Sequence, residues 1–523
     1  MNHVVTPARA FVPSPYQQRL FDFVAKGRGS AIVKAVAGSG KTTSILKSLG
    51  FIPAGVSVQL FAFNSTIAAE LRQRVQAMAD ECGDPRRFAS VRASTFHAVG
   101  YGALCRRLGK RPDEVKPDPK KMTKLSKALL GEAEHVMYAE FCVKLVGLAK
   151  GEGAGAIVAF SEDRWRDLIH HHDLFLDDEE ASEDRAIAIA RELLRASNEQ
   201  AKLGIIDYDD QLYVPLLWRL RLWQNDFVFV DEAQDTNPVR RALAKLALRP
   251  GGRLIAVGDE RQAIYGFTGA SHDAMELIKT EFGCVELPLT VSYRCAKKIV
   301  ELAQDLVPYL EAFDGAAEGE VCFMPLFEKR KNAAKDTYAL GRLGPNDAIL
   351  CRNTAPLIKL AYQLIARGTA CRLLGREIGA GLASLVKQMK ARDINSLVTK
   401  LDRYVEREVA AATAKGEEQR AEAITDRVAC VTTVIEHLGE DERTIAGLLR
   451  RLETMFEDQG AGQLTLCTAH KAKGKEWPTV AILAPELMPS KWARQEWQLR
   501  QEENLMYVAW TRAMRTLIFL EGE

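Results

Sequence analysis

Apolar positions fall into two rhythms along the chain. Short strand-like apolar runs stand at 31–36, 56–63, 227–230, 254–257, 348–351, 464–468, 479–483 and 516–520. The first two lead into a Gly-rich or Asn/Ser/Thr turn and then a helical pattern. That alternation predicts βα units and parallel sheets. Between the strand zones the rhythm changes. Residues 102–205 and 376–450 carry helical patterns with no convincing strand, and a further helix is predicted around 502–514. The pattern predicts two α/β cores, each interrupted by a helical insertion.

Composition narrows the picture only slightly. The chain has 523 residues, 47% hydrophobic and 27% charged, which is ordinary for a folded multidomain protein. Lys+Arg 71 against Asp+Glu 69 leaves a net charge of +2, so any nucleic-acid contact must come from a local groove rather than from bulk charge. No uncharged apolar stretch is long enough for a membrane span, and the first residues lack a signal-peptide pattern. The ten cysteines form no CxxC, which argues against a zinc ribbon or a disulfide framework and for a reducing, cytoplasmic setting. No repeat of fixed period and no low-complexity tract interrupts the chain.

Two segments carry chemistry. Ala35-Val-Ala-Gly-Ser-Gly-Lys-Thr-Thr43 follows a strand and opens a helix. Such a turn presents backbone N–H groups to an anion, and the helix N-terminus adds partial positive charge. Ala37, Gly38, Ser39 and Gly40 would cradle phosphates, Lys41 would reach the β- and γ-phosphates, and Thr42 would ligate Mg²⁺. The generic pattern has Gly where this chain has Ala35. Phe227-Val-Phe-Val-Asp-Glu-Ala-Gln-Asp235 is a strand ending in carboxylates. Asp231 is assigned to Mg²⁺ and Glu232 to the base that activates water. Asp235, before Thr-Asn-Pro, reads as a helix cap. Both assignments require the two strands to be neighbours.

With these segments in place, the order of further motifs resembles superfamily 1 DNA helicases of the UvrD/Rep type. Pro13-Ser-Pro-Tyr-Gln-Gln18 resembles the adenine-reading Q motif, with Gln17 the better-aligned glutamine. Phe61-Ala-Phe-Asn-Ser-Thr-Ile-Ala-Ala-Glu-Leu71 resembles motif Ia, and Ser94-Thr-Phe-His-Ala98 the DNA-contacting segment after it. Ile206-Asp-Tyr-Asp-Asp210 matches a segment just before the acidic pair. Val257-Gly-Asp-Glu-Arg-Gln-Ala-Ile-Tyr-Gly-Phe-Thr-Gly-Ala270 resembles motif III, and Ser292-Tyr-Arg294 motif IV. Leu466-Cys-Thr-Ala-His-Lys-Ala-Lys-Gly-Lys-Glu476 resembles motif V, and Tyr507-Val-Ala-Trp-Thr-Arg-Ala513 motif VI.

The resemblance implies two RecA-like P-loop cores. The first spans 1–101 and 206–284 around an insertion at 102–205. The second spans 285–375 and 451–523 around a reduced insertion at 376–450. It implies an ATP- and Mg²⁺-dependent helicase or translocase on single-stranded DNA and duplex junctions, moving 3′ to 5′. The alternative is a motor or regulatory ATPase subunit serving a nuclease or a repair or defence complex. Gln262 would sense the γ-phosphate. Arg294 and Arg512 would neutralise charge on the transferring phosphoryl group. Tyr293 would stack on adenine, Thr43 would lie beside the base, and Gly474 and Glu476 near the phosphates or ribose. Phe63, Asn64, Thr95, Phe96, His97, Tyr265, Phe267 and His470 would line the DNA track, with the aromatics as stacking platforms.

Three departures stand out. Phe267-Thr268 stands where relatives carry Trp-Arg, and Thr43 where they often carry Arg. The second insertion is much shorter than theirs. A basic run at Arg106, Arg107, Lys110, Arg111, Lys116, Lys120, Lys121, Lys124 and Lys127 reads as a solvated helix face or a duplex-backbone contact. His170-His171-His172 reads as solvated helix or loop, since no metal-ligand spacing accompanies it.

Overall fold

In the computed structural model the described residues are 11–84, 86–172, 174, 176, 180–264, 273–328, 334–414, 418–456 and 463–521. The chain forms two compact units. One runs to Val36 and resumes over Gly40–Thr290; the other comprises Ala37–Ser39 and Val291–Glu523.

The first unit is built on β1 (Ala31–Ala35), β2 (Val58–Ala62), β3 (Val91–Thr95), β4 (Asn225–Val230), β5 (Leu248–Gly258) and β6 (Val285–Leu289), in the order β3-β2-β4-β5-β1-β6. Every pairing is parallel. Strands such as β2 are buried throughout because helices cover both faces of the sheet. One face packs Val33, Leu60, Phe229 and Ile255 against Leu20, Phe21 and Ile45. The other packs Ile32, Phe61, Val228 and Ala256 against Phe96, Leu243 and Met275. Two points differ from the sequence expectation. β6 pairs with β1, so the first sheet reaches Leu289, past the expected boundary at 284. Strand β5 lies between β1 and β4, so the phosphate-binding turn and the acidic pair do not sit on neighbouring strands.

The first insertion is helical, from Lys121–Leu129 through Glu183–Lys202, with a core of its own around Tyr138, Leu145, Trp165 and Leu193. Its expected start at 102 falls inside the helix Phe96–Leu108. Buried ion pairs tie it to the segment 207–210. Lys121 Nζ lies 2.6 Å from Asp210 Oδ2, and Lys150 Nζ lies 2.6 Å from Asp207 Oδ2 and 2.8 Å from Asp210 Oδ1. Lys121 therefore leaves the basic surface run in which the sequence placed it. An ammonium group is buried only when paired, and both aspartates are spent on that pairing.

In the second unit β7 (Val291–Ser292) pairs with β8 (Glu311–Ala312). Strands β9 (Glu320–Met324), β10 (Ala348–Cys351), β11 (Cys371–Leu373), β12 (Leu464–Thr468), β13 (Trp477–Ile482) and β14 (Ala513–Leu520) form a parallel sheet in the order β11-β12-β10-β13-β14-β9. The helices Arg376–Gln388, Ile394–Ala414, Glu418–Glu436 and Ile445–Met455 occupy the reduced insertion. They share one core with the sheet. Leu397, Val431, Leu448 and Phe456 cluster with Ile349, Leu466 and Ile518. The last insertion helix also crosses the expected boundary at 450. The insertion buries its apolar faces against the sheet rather than in a separate core.

Candidate nucleotide site and single-strand face

Strand β1 ends in the Gly-rich turn. Gly38 and Gly40 have φ +72° and +74°, a left-handed backbone that favours glycine. Gly40 is the residue before the helix Lys41–Leu49 and offers no side chain to cap it. The first N–H groups of that helix receive no side-chain cap, and a helix N-terminus of this kind suits an anion. Ala37, Gly38 and Ser39 group with the second unit, while Gly40 onward belongs to the first.

Within the first unit the acidic groups converge on Lys41 and Thr42. Thr42 Oγ1 donates to Asp231 Oδ2 at 3.1 Å, and Lys41 Nζ lies 3.2 Å from Glu232 Oε2. The intervening β5 contributes a third carboxylate, Asp259, at its C-terminal end. Asp259 Oδ2 accepts from Gln262 Nε2 at 2.6 Å. Gln234 joins these groups. Its Nε2 donates to Glu232 Oε2 at 2.6 Å, and its Oε1 accepts from the Asp259 N–H at 3.0 Å. Sequence reasoning gave Asp259 and Gln234 no role. Asp259 carries the same signal that singled out Asp231, an apolar strand ending in a carboxylate.

The electrostatics follow from burying several charges together. Burial, then the neighbouring Glu232, pushes the Asp231 carboxyl up to about 6. Burial also pushes Asp259 up to about 6, against the opposing pull of Lys41. Burial works against the charge on Lys41, but Glu232, Asp259 and Asp231 outweigh it and raise the ammonium above its ordinary value. Carboxylates held above their usual range next to one cation lack a counter-charge, and a divalent ion carrying phosphates would supply it. Thr42 and Asp231 suit Mg²⁺, a hard ion usually held by one or two carboxylates together with substrate phosphates. Among the described residues no group of three or more His, Cys, Asp or Glu could hold a metal by itself, the His170–His172 run included.

Gln17 is buried in the helix Pro15–Lys26, and its Nε2 donates to Ser44 Oγ at 3.0 Å. Its backbone N–H and its side-chain Oε1 are both used in a capping box with Ser14. The Q-motif glutamine is thereby fixed against the helix that opens with Lys41. Thr43 directly precedes Ser44 on the same helix.

The single-strand candidates separate. Phe96 is in the core, its ring stacked on Phe61 at 3.9 Å and 5°, so the hydrophobic effect has claimed it. Asn64 and Thr95 cap the helices Ser65–Glu81 and Phe96–Leu108, accepting from Ile67 and Ala98 N–H groups. Phe63 is 38% exposed, with the Arg240 guanidinium 5.4 Å from its ring centre. Phe63, Phe96, His97 and Arg240 line one recess together with Asp231, Glu232, Asp235 and Thr236. Burial, with Arg240 adding to it, lowers His97 to about 4 and keeps it neutral. Asp235 does not cap the next helix. Asn237 does, accepting from the Arg240 N–H, because it directly precedes Pro238 at the first helical position. Tyr265 and Phe267 lie outside the described residues.

In the second unit Arg294 Nε lies 2.5 Å from Glu476 Oε2. Arg512 is buried. Its guanidinium donates to the Val508 carbonyl at 2.9 Å, the Lys475 carbonyl at 3.2 Å and Thr511 Oγ1 at 3.2 Å. Tyr293 is half-exposed, its ring 5.2 Å from Phe313. Gly474 has φ +80°. Burial, with the nearby Arg352, lowers His470 to about 4.

A parallel sheet with a glycine-rich turn leading from one strand into a helix and carboxylates at the ends of two others is the architecture of a RecA-like core. The second unit repeats the parallel sheet. Comparison with known proteins then fixes the family. The UvrD/REP helicase N-terminal domain matches residues 17–283, and the UvrD-like helicase C-terminal domain matches 382–521. The chain belongs to the UvrD/Rep helicase family. It is 27% identical to the ATP-dependent DNA helicase Rep of Escherichia coli over 56% of this chain and 43% of that one. It is 26% identical to DNA helicase II of Haemophilus influenzae over 54% and 39%. A third relative, the ATP-dependent DNA helicase UvrD2 of Mycobacterium bovis, is 26% identical over 95% and 77%. The aligned part thus spans less than half the length of the Rep and helicase II chains.

Proposed function

We propose that this protein is an ATP-driven translocase on single-stranded DNA that separates strands, moving 3′ to 5′. The observation that carries the proposal is the convergence of Lys41, Thr42, Asp231, Glu232 and Gln262 beside a recess lined by Phe63 and His97. ATP seats its phosphates on the turn 37–42. Lys41 exchanges Glu232 for the β- and γ-phosphates. Thr42 and Asp231 hold Mg²⁺, which would supply charge neutralisation on the phosphates. Glu232, released from Lys41, accepts the proton of the attacking water, and Gln262 orients that water through its amide. Gln17 and Tyr293 recognise the base. Arg294 and Arg512 are the proposed cations for the charge that develops on the phosphoryl group, and a planar guanidinium suits that bidentate task. Phe63 offers a sequence-tolerant stacking face, and Asn64, Thr95, His97 and His470 are proposed contacts along the strand.

ATPase measured with and without single-stranded DNA tests the proposal, followed by unwinding of duplexes tailed on either side. Lys41→Ala should lower DNA-stimulated turnover about 100-fold or more. A Lys41→Ala protein that still hydrolysed ATP under DNA control would remove the proposal. The reduced second insertion favours a second reading, a motor subunit that moves but unwinds weakly by itself. Displacement of streptavidin from an end-labelled strand, without strand separation, would select that reading.

A further inference from the structure

We infer that Arg240 is a positioning residue that transmits occupancy of the single-strand face to Glu232. The inference rests on the function proposed above and concerns how its two sites communicate. Arg240 stands in the helix Pro238–Leu246, directly after the acidic segment. Its guanidinium serves two neighbours at once. It covers the Phe63 ring at 5.4 Å, and its NH1 donates to the Asp235 carbonyl at 2.9 Å. Asp235 closes a single 3-10 turn, Ala233–Asp235, and the residue that enters this turn is Glu232.

Glu232 has φ +52°, the left-handed region that costs a side-chain-bearing residue about 1–2 kcal/mol. Such a conformation persists only where neighbours hold it. Here the carboxylate is held by Gln234 and Lys41, and the far end of the turn is held by Arg240. The turn is one residue triplet long, so displacing the Asp235 carbonyl is felt at Glu232. Gln234, inside the same triplet, extends the link to the Asp259 backbone.

A nucleobase stacking on Phe63 competes with the guanidinium for the ring. The cation must then withdraw from the ring. Asp235 and Asp209 both act on Arg240 electrostatically. Asp209 belongs to the segment that the insertion holds through Lys121 and Lys150. His97, on the other wall of the recess, is neutral and does not repel the cation. Stacking a base on Phe63 and loosening the turn at Glu232 are therefore one event, and Arg240 is the part that moves.

The test compares Arg240→Ala with Arg240→Lys. For each protein the ratio of DNA-stimulated to basal ATPase turnover, the KM for ATP, the affinity for an oligo-dT strand and the thermal midpoint are measured. Arg240→Ala should reduce the stimulation ratio about tenfold, an ordinary size for coupling between sites. KM and thermal midpoint should stay near wild type. Arg240→Lys, which keeps a cation over the ring, should recover part of the ratio. A ratio retained in Arg240→Ala overturns the inference. So does an equal loss of basal and stimulated turnover, which would mark a purely structural arginine. If wild-type turnover itself ignores single strands, the functional proposal has failed, and that outcome is separate from the behaviour of the variants.

Discussion

Glu232 is the proposed base, and the protein spends strain to hold it. Its left-handed backbone and its contacts with Lys41 and Gln234 keep the carboxylate close to the phosphate-binding turn. Glu232→Gln preserves the shape and removes the proposed base. ATP binding should persist while turnover falls about 100-fold, as equilibrium nucleotide binding beside steady-state ATPase would reveal. His470 offers a pH test. Its folded pKa of about 4 lies below the ordinary 6.5, so on acidification the unfolded chain takes up the proton first. The stability contributed by the neutral ring is whole above 6.5 and is lost as pH falls toward 4. Asp231 and Asp259 oppose that trend, because their raised pKa values make the folded state the better proton acceptor between 3.8 and about 6. The clean observable is a difference. Between pH of about 7 and about 5 the stability gap between wild type and His470→Gln should shift in favour of the variant. A gap independent of pH would show that His470 is not held neutral.

At the scale of elements, the reduced insertion has a definite task. Its helix Glu418–Glu436 sends Asp426 to the N–H groups of Thr354 and Ala355, both at 3.0 Å, at the start of the helix Ala355–Ala366. The same helix sends Glu422 to Arg352 NH1 at 3.0 Å and to Ser490 Oγ at 2.7 Å. Arg352 makes a two-pronged pair with Glu502 at 2.8 Å on each prong, and Glu502 lies in the helix Glu496–Trp510 that leads into Arg512. Asp426→Ala removes the cap and should cost about 1–2 kcal/mol. Glu502→Ala removes the two-pronged partner and leaves Arg352 paired with Glu422, so it should cost somewhat more, about 2–3 kcal/mol. Denaturant midpoints of the two variants check both the sizes and their order. Equal, small effects would show that the network is solvated rather than structural.

For the whole molecule, a net charge of +2 leaves long-range attraction to nucleic acid to local patches. Arg106, Arg107, Lys116, Lys120 and Lys127 are exposed on the first unit, whereas Lys121 is not. If the exposed set meets duplex backbone, neutralising Arg106, Arg107 and Lys116 should flatten the dependence of log affinity on log salt by about one unit for each phosphate that then goes without its cation. Binding of a tailed duplex across a salt series measures it, and an unchanged slope would assign these residues to ordinary solvated surface. Lys121→Met should instead leave the slope alone and cost about 3–5 kcal/mol of stability, because Asp210 would lose one of its two buried cations.

Local pattern was enough for most of the strands and for the phosphate-binding turn. Apolar runs, glycines and a following Lys-Thr are short-range signals, since one strand and one helix N-terminus impose them. The helical character of both insertions was legible for the same reason. Strands β3, β6, β9 and β11 were not. Their runs are short or interrupted by polar residues, as in Val285–Leu289 with its Glu and Pro, and they become strands only by pairing with a neighbour already in place. Which aromatic would be core and which would face outward depended on packing. Phe61 and Phe96 stack together across elements distant in sequence, while Phe63 meets a guanidinium. Burial of Lys121, the insertion of β5 between β1 and β4, and the entry of Asp259 into the site were likewise decided by long-range packing. Sequence by itself determines what each segment can do alone. The tertiary fold decides which charges must share one dry site, because the cost of burying them depends on partners that no local pattern specifies.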